Sequence, residues 1–347
     1  MKYNKLGTTD LTVSDLCLGT MTWGSQNTTE EGHAQIDMSL DHGINFIDTA
    51  EAYPVNPMSK ETQGETERII GKWLAKTGRR DDIILATKVA GAGAGSVRKG
   101  EPISRATITQ AVEESLARLQ TDYIDLYQLH WPNRGSYMFR QNWAYDPTKQ
   151  NKAETLTNML EVLETLQEFV DAGKIRHVGL SNESAWGTAQ YLQIAKQRGL
   201  PRMQTIQNEY SLLCRLFDTD LAELSHNEEV GLLAFSPLAV GLLTGKYQNG
   251  QIPAGSRRSL NDTLGGRVTD RVWPAVDAYL AIAAKHGLDP SQMALAWCNS
   301  RPFVTSSIFG ATNLEQLETA LGTADMVLDQ AVMDDIAKAH KAHPMPY

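Results

Sequence analysis

The sequence is poor in cysteine. Cys17, Cys214 and Cys298 are odd in number, widely spaced and form no C-x-x-C pair, which argues against a disulfide framework or a cysteine-built zinc site and points to the reducing cytoplasm. No metal is expected elsewhere: His340 and His343 have a usable spacing, but their stretch is rich in lysine and proline and reads as a fraying helix end. Long apolar runs are also missing. No stretch of about 18 apolar residues occurs, and "MKYNKLGTTDLTVS" has no signal-peptide core, so neither a membrane span nor a membrane partner is expected. Positive charge is in deficit, with 32 Lys and Arg against 41 Asp and Glu and a formal charge of −9. That excludes a general nucleic-acid binder and leaves room only for a local basic pocket. Linkers and repeats are lacking as well, so residues 1–347 read as one domain, although length alone would suggest about two.

Against these absences stand short, unbroken apolar runs: "LCLGT" (16–20), "NFIDTA" (45–50), "DIILATKV" (82–89), "IDLYQLH" (124–130), "IRHVGLSN" (175–182), "TIQNEY" (205–210), "GLLAFSP" (231–237) and "SSIFGAT" (306–312). Continuous rather than alternating hydrophobicity is what strands covered on both faces require. Helical patterns lie between them. Ile69, Ile70, Trp73 and Leu74 share a face of 65–77, as do Leu156, Met159, Leu160, Leu163 and Leu166 of 155–172. Gly43, Gly78, Gly173, Gly199 and Gly287 follow helical stretches as caps. About eight strand-then-helix units in succession predict an α/β fold of the (β/α)₈ barrel type, with an N-terminal hairpin, extra helices and long loops on the carboxyl face.

A doubly wound sheet is the alternative, but its phosphate fingerprint is incomplete. "GAGAG" (91–95) has Ser96 where the third glycine of G-x-G-x-x-G belongs and leads into "VRKGEP" rather than a helix, so a flexible loop is expected. The longest interruption, 131–154, carries Trp131, Tyr137, Phe139, Trp143 and Tyr145, too many aromatics for a purely solvated loop. It follows the fourth strand, on the face where barrels keep their sites. Met293, Leu295 and Trp297 read as core.

In a barrel the carboxyl ends of the strands converge on one mouth. Asp48 ends the second run and leads to Tyr53, Lys88 ends the third, and His130 the fourth. Singly these are ordinary: an aspartate after a strand makes a turn, a strand-end lysine snorkels, and a histidine can be satisfied in a core. Together they suit reduction of a carbonyl, whose alkoxide must be protonated as it forms. A neighbouring ammonium at Lys88 would bring the pKa of Tyr53 down, and Asp48 would keep that ammonium charged. His130 would offer a ring N–H to the substrate oxygen. Composition and spacing leave both readings open.

The same stretches carry a resemblance. "LGTMTWG" (18–24), "NFIDTAEAY" (45–53), "ATKV" (86–89), "RLQTDYIDLYQLHWP" (118–132), "GKIRHVGLSN" (173–182), "IQNEYSLLCR" (206–215), "FSPLAVGLLTGKY" (235–247) and "FGATNLEQLETAL" (309–321) resemble, in order along nearly the whole chain, an aldo-keto reductase. Among its branches the resemblance is greatest to the bacterial Tas-type reductases and the β-subunits of voltage-gated potassium channels. It implies the barrel, a nicotinamide cofactor and a tetrad of Asp48, Tyr53, Lys88 and His130 with tyrosine as general acid. It also implies cofactor contacts at Thr20, Met21 and Asp48 near the nicotinamide ribose, and at Ser181, Asn182 and Gln207 for the carboxamide. Ser236, Pro237, Leu238, Gly241 and Leu243 match the pyrophosphate segment, Lys246 and Arg257 the basic positions, and Gly310, Ala311, Thr312 and Gln316 the adenosine end. A 2′-phosphate favours paired cationic donors, so Lys246 and Arg257 argue for NADP(H). Where many relatives have a Glu-Asn pair facing adenine, this chain has Thr319 and Ala320. Trp23 and Trp131 are expected to wall the substrate pocket.

The expected partner is a small carbonyl substrate. Two other readings remain: a module that holds the cofactor as a redox sensor and acts through a protein partner, and an aldolase forming a Schiff base on Lys88. The first would oxidise cofactor slowly and almost independently of substrate. The second would leave Tyr53 and the loop after the seventh strand without a role.

Overall fold

Each of the eight apolar runs becomes a strand, and each is closed off by a polar or glycine-containing turn. The computed structural model describes residues 1–55 and 57–347. Strands β1 (Tyr3–Lys5) and β2 (Thr12–Ser14) pair antiparallel as a hairpin. Strands β3 (Leu16–Gly19), β4 (Phe46–Asp48), β5 (Ile84–Val89), β6 (Ile124–Leu129), β7 (Ile175–Ser181), β8 (Met203–Glu209), β9 (Gly231–Phe235) and β10 (Val304–Phe309) follow. These close into a barrel in the order β10–β3–β4–β5–β6–β7–β8–β9, with every neighbouring pair parallel.

Helices α1 (Thr29–Asp41), α2 (Glu65–Thr77), α3 (Arg105–Leu119), α4 (Lys152–Asp171), α5 (Ala185–Arg198) and α6 (Asp220–Glu228) return the chain between strands. After β9 come α7 (Arg257–Leu260), α8 (Val272–Lys285) and α9 (Pro290–Asn299), and after β10 come α10 (Leu314–Leu321) and α11 (Gln330–Ala342). The fold is a (β/α)₈ barrel in which α8 and α11 pack together as an extra pair. Among the described residues no helix is long and apolar enough to cross a membrane.

Local chemistry sets the helix ends. Thr28 and Ser104 cap α1 and α3 through capping boxes. Gly78 and Gly199 end α2 and α5 at φ 67° and 66°, where a Cβ would be strained. Trp73, Ile69 and Ile70 of α2 enter the main apolar core, as do Met293, Leu295 and Trp297 of α9. Gly71 lets α2 meet the end of α3: a Cβ there would lie 2.2 Å from the Arg118 carbonyl oxygen. Gly71→Ala is therefore expected to destabilise the protein by roughly 1–3 kcal/mol, read as a lower urea midpoint. An unchanged midpoint would mean that the two helices part without cost.

The barrel interior is layered, and the layering positions the site. Leu6 and Val13 of the hairpin region close the amino end over Cys17, Phe46, Ala86, Leu126, Leu233 and Ile308, a separate apolar cluster. Two residues further along the same strands, on the same face by the strand period, stand Asp48, Lys88 and Gln128. The inward series thus changes from apolar to polar at the carboxyl end. Just past β6 it continues to His130, whose backbone N–H donates to the Val89 carbonyl.

One expectation about loops is corrected and another is met. The glycine-rich stretch 91–95 is packed rather than loose: Ala94 and Val97 are buried with Ala52 and Ala90 under Trp131. Gly91 is needed there because a Cβ would come 2.5 Å from the Trp131 ring. The segment 131–151 is likewise tied down, by Ser136 Oγ donating to the Asn182 carbonyl at 3.0 Å and by a close Arg134–Glu183 ion pair.

Candidate active site

Lys88 organises the centre of the mouth. It is fully buried, and its Nζ donates to Asp48 Oδ2 at 2.6 Å, to the Thr49 carbonyl at 2.7 Å and to Tyr53 Oη at 3.4 Å. Asp48 is 2 % exposed, and its Oδ1 accepts from Gln207 Nε2 at 2.8 Å and Gln128 Nε2 at 3.2 Å. The carboxylate is thereby compensated on both oxygens, as a buried charge requires. The Tyr53 and His130 rings meet edge-on with centroids 5.8 Å apart. The four residues singled out at the strand ends therefore form one cluster.

Opposing influences act on its protonation states. Burial pushes the Lys88 ammonium down, but the Asp48 carboxylate and the Tyr53 oxygen outweigh it and hold its pKa above the ordinary lysine value. Burial pushes Tyr53 up, Lys88 pulls it down, and the net result is a pKa above the usual tyrosine value. Here the sequence reading is corrected: the ammonium acts in the expected direction, but desolvation of the phenolate is larger. His130 is held well below the usual histidine range, by burial first and Lys88 second, so at neutral pH its ring is uncharged and keeps one N–H. Its Nδ1 is buried without a partner among the described residues.

The residues expected to hold a cofactor divide into bonded and open groups. Thr20 is fully buried, its Oγ1 donating to the Asp48 carbonyl at 2.9 Å, and Met21 Sδ lies 3.8 Å from Arg257 Nη2. Asn182 Nδ2 donates to the His130 carbonyl and to Ser181 Oγ, leaving Asn182 Oδ1 buried with no partner among the described residues. Such an acceptor fits an amide NH₂. After β9 the chain takes positive φ at Ser236, Ala239, Val240 and Gly241, with Pro237, Leu238 and Leu243 in the same turn. Gly241 sits at φ 95°, and a Cβ there would lie 2.7 Å from Lys246 Cε, so glycine lets the turn pack against that side chain. Burial lowers the pKa of Lys246, and burial followed by Arg267 pushes Arg257 down to about 10, which marks a place where added negative charge is favourable.

Sequence reasoning missed two neighbours. Ser256 Oγ and the Nε and Nη1 of Arg258 are buried without hydrogen-bond partners among the described residues, and Arg258 lies over Trp273 at 5.1 Å. The doubled arginine of "SRRSL" was the available signal. At the far end, Gln316 Oε1 accepts from the Thr312 N–H and hydroxyl, beside Gly310 and Ala311. Thr319 Oγ1 is bonded back to the Glu315 carbonyl, and Ala320 is buried.

Of the two tryptophans expected at the pocket, one is displaced. Trp23 is fully buried, its ring against Gly32 and its Nε1 donating to Gln35, so it offers no face to a substrate. Trp131 is half-buried beside His130, with centroids 4.7 Å apart, and Phe139 stands edge-on to it. Glu209, at the end of β8, accepts from Arg267 Nε at 2.7 Å, Arg140 Nη1 at 2.9 Å and Tyr347 Oη at 3.2 Å, gathering three segments at the rim. A cleft of about 870 Å³ beside the mouth is lined by Asn133, Tyr145, Gln150 and Tyr191 and by none of the central four residues. No group of three or more His, Cys, Asp or Glu among the described residues could hold a metal ion.

The sequence profile of the Aldo/keto reductase family matches residues 15–341. The chain is 45 % identical over 349 residues to the protein tas of Escherichia coli (strain K12), covering 100 % of this chain and 99 % of that one. It is 32 % identical over 358 residues to the probable voltage-gated potassium channel subunit beta of Arabidopsis thaliana, covering 99 % and 98 %. It is also 32 % identical over 340 residues to the uncharacterized oxidoreductase YrpG of Bacillus subtilis (strain 168), covering 96 % and 94 %.

Proposed function

Because the chain belongs to the aldo/keto reductase family, we propose that residues 1–347 act as one domain, an NADPH-dependent reductase of an aldehyde or ketone, with Tyr53 as general acid. The observation that carries this reading is the buried relay in which Lys88 Nζ touches both Asp48 Oδ2 and Tyr53 Oη. A bound nicotinamide would supply the hydride. Tyr53 gives its proton to the carbonyl oxygen as that oxygen becomes an alkoxide. Lys88, kept cationic by Asp48, stabilises the phenolate left behind. His130, uncharged, donates its ring N–H to the same oxygen and fixes its direction. Three free cysteines support a cytoplasmic setting.

The unpaired Asn182 Oδ1 supports a carboxamide contact, with Ser181 and Gln207 beside it. Lys246, Arg257, Arg258 and Ser256 support a phosphate, and so NADPH over NADH. A Schiff base on Lys88 fits poorly, since an ammonium held charged by Asp48 has no lone pair with which to attack a carbonyl.

The test is oxidation of NADPH and NADH by the purified protein over a panel of aldehydes and ketones. Fast turnover with NADPH preferred is expected. Tight NADPH binding with negligible turnover on every carbonyl would replace the reading with a redox-sensing module, in keeping with the channel-subunit relative. Lys246→Met is expected to weaken NADPH binding about tenfold or more with NADH nearly unaffected, measured by cofactor fluorescence. Equal loss for both would remove Lys246 from the 2′-phosphate.

A further inference from the structure

We propose that Glu51 and Arg98 form a buried latch that positions Tyr53 against Lys88, making Glu51 a positioning residue for proton transfer. The inference rests on the general-acid reading of Tyr53 and extends it to two residues outside the tetrad.

The geometry is specific. Glu51 is fully buried on the short segment between β4 and Tyr53. Its Oε1 accepts from the Ala90 N–H at 2.6 Å and from Arg98 Nη2 at 2.6 Å, while Oε2 accepts from Arg98 Nη1 at 2.5 Å. Its own N–H donates to the Lys88 carbonyl. Glu51 is therefore stitched to the end of β5 at two points, by its backbone N–H at Lys88 and by its side chain at Ala90, two residues on. The same segment supplies the Thr49 carbonyl that accepts from Lys88 Nζ and, through the Tyr53 N–H bonded to the Ala50 carbonyl, the turn that aims the phenol.

Arg98 adds the other anchor. It comes from the far end of the loop after β5, at φ 41°, followed by Lys99 at φ 56°, left-handed conformations that non-glycine residues adopt only when held. A bidentate guanidinium–carboxylate pair fixes orientation as well as distance. Pulling Arg98 down also seats Ala94 and Val97 beneath Trp131, whose Nε1 donates to the Ala92 carbonyl. One buried ion pair thus ties together the acid, its lysine and one wall of the mouth. A surface pair could not, because water would compete for both partners.

The test compares Glu51→Gln, Arg98→Lys and the double variant Glu51→Gln with Arg98→Met, each assayed with NADPH and a fast aldehyde from the panel, and with Tyr53→Phe alongside. Glu51→Gln keeps an acceptor for Ala90 but turns an NH₂ towards Arg98, and the double variant removes both charges together so that no uncompensated charge is buried. A fall in kcat of about tenfold or more is expected in both, with KM and NADPH affinity within about twofold and the high-pH limb of the reduction profile moved upward as Tyr53 slips from Lys88. Arg98→Lys, which keeps the charge but not the fork, should recover part of the loss, and it carries the test if neither glutamine variant accumulates. Wild-type kcat and an unmoved limb in a folded variant would overturn the latch. If Tyr53→Phe itself turns over normally, the general-acid reading falls, and the latch with it; if Tyr53→Phe is inactive while the double variant is normal, only the latch falls.

Discussion

Tyr53→Phe is expected to lower turnover by roughly 10²–10⁴-fold while leaving NADPH affinity and the unfolding midpoint nearly unchanged. The phenol oxygen is the only atom removed. Lys88 loses one contact of 3.4 Å but keeps Asp48 Oδ2 and the Thr49 carbonyl, so no buried charge is stranded. The ring stays in place beside His130. On the proposed mechanism, what disappears is the donor that couples the alkoxide to Lys88. Since burial holds the Tyr53 pKa above the ordinary value of 10, the wild-type reduction rate should carry no Tyr53 limb at neutral pH and fall only in strong alkali, where the phenol ionises. A variant with wild-type turnover would remove Tyr53 from the chemistry, whatever the family.

Lys88→Met is expected to cost comparable activity, roughly 10²–10³-fold, and to cost stability as well. Methionine fills the volume but leaves the Asp48 carboxylate buried with only the Gln207 and Gln128 amides. Breaking one partner of a buried pair costs about 3–5 kcal/mol. The largest influence lowering the Tyr53 pKa is lost too, so the acid becomes weaker and the high-pH limb climbs. The companion Asp48→Asn with Lys88→Met restores neutrality, and it should regain stability without activity. The sign of the pH effect follows from Lys88 itself, whose folded pKa lies above the unfolded value near 10.5. Its pairing stabilises fully below that pH and is lost only as pH rises through the folded pKa. Stability that faded between pH 7 and 9 through this group would contradict the pairing.

The tetrad was legible because its strand members extend a pattern. Asp48, Lys88 and His130 end apolar runs, and closed barrels bring strand ends together. Gln128 obeys the same period, two residues beyond Leu126, but an amide inside the run "IDLYQLH" reads as a lapse in hydrophobicity rather than as a ligand of Asp48. Trp23 was misplaced because an aromatic beside a strand end suits a pocket wall and a core equally. Its burial is decided by α1 and α2, which close on it through Gly32 and Ile69. The resemblance points to Arg257 and not to Arg258, and which way a turn aims each of two adjacent arginines is not written in their spacing.

By itself the sequence determined the barrel, through eight continuous apolar runs with helical patterns between them, and it determined that Asp48, Lys88 and His130 stand at the mouth. Both follow from local rules of period and strand direction that hold before any distant contact forms. Tertiary structure alone decided the sign of the Tyr53 shift, the packing of the 91–95 glycines and the joining of Glu51 to Arg98 across 47 residues. Those outcomes depend on how much water is excluded and on which loops meet, and water exclusion is a property of the assembled fold with no signature in residue spacing.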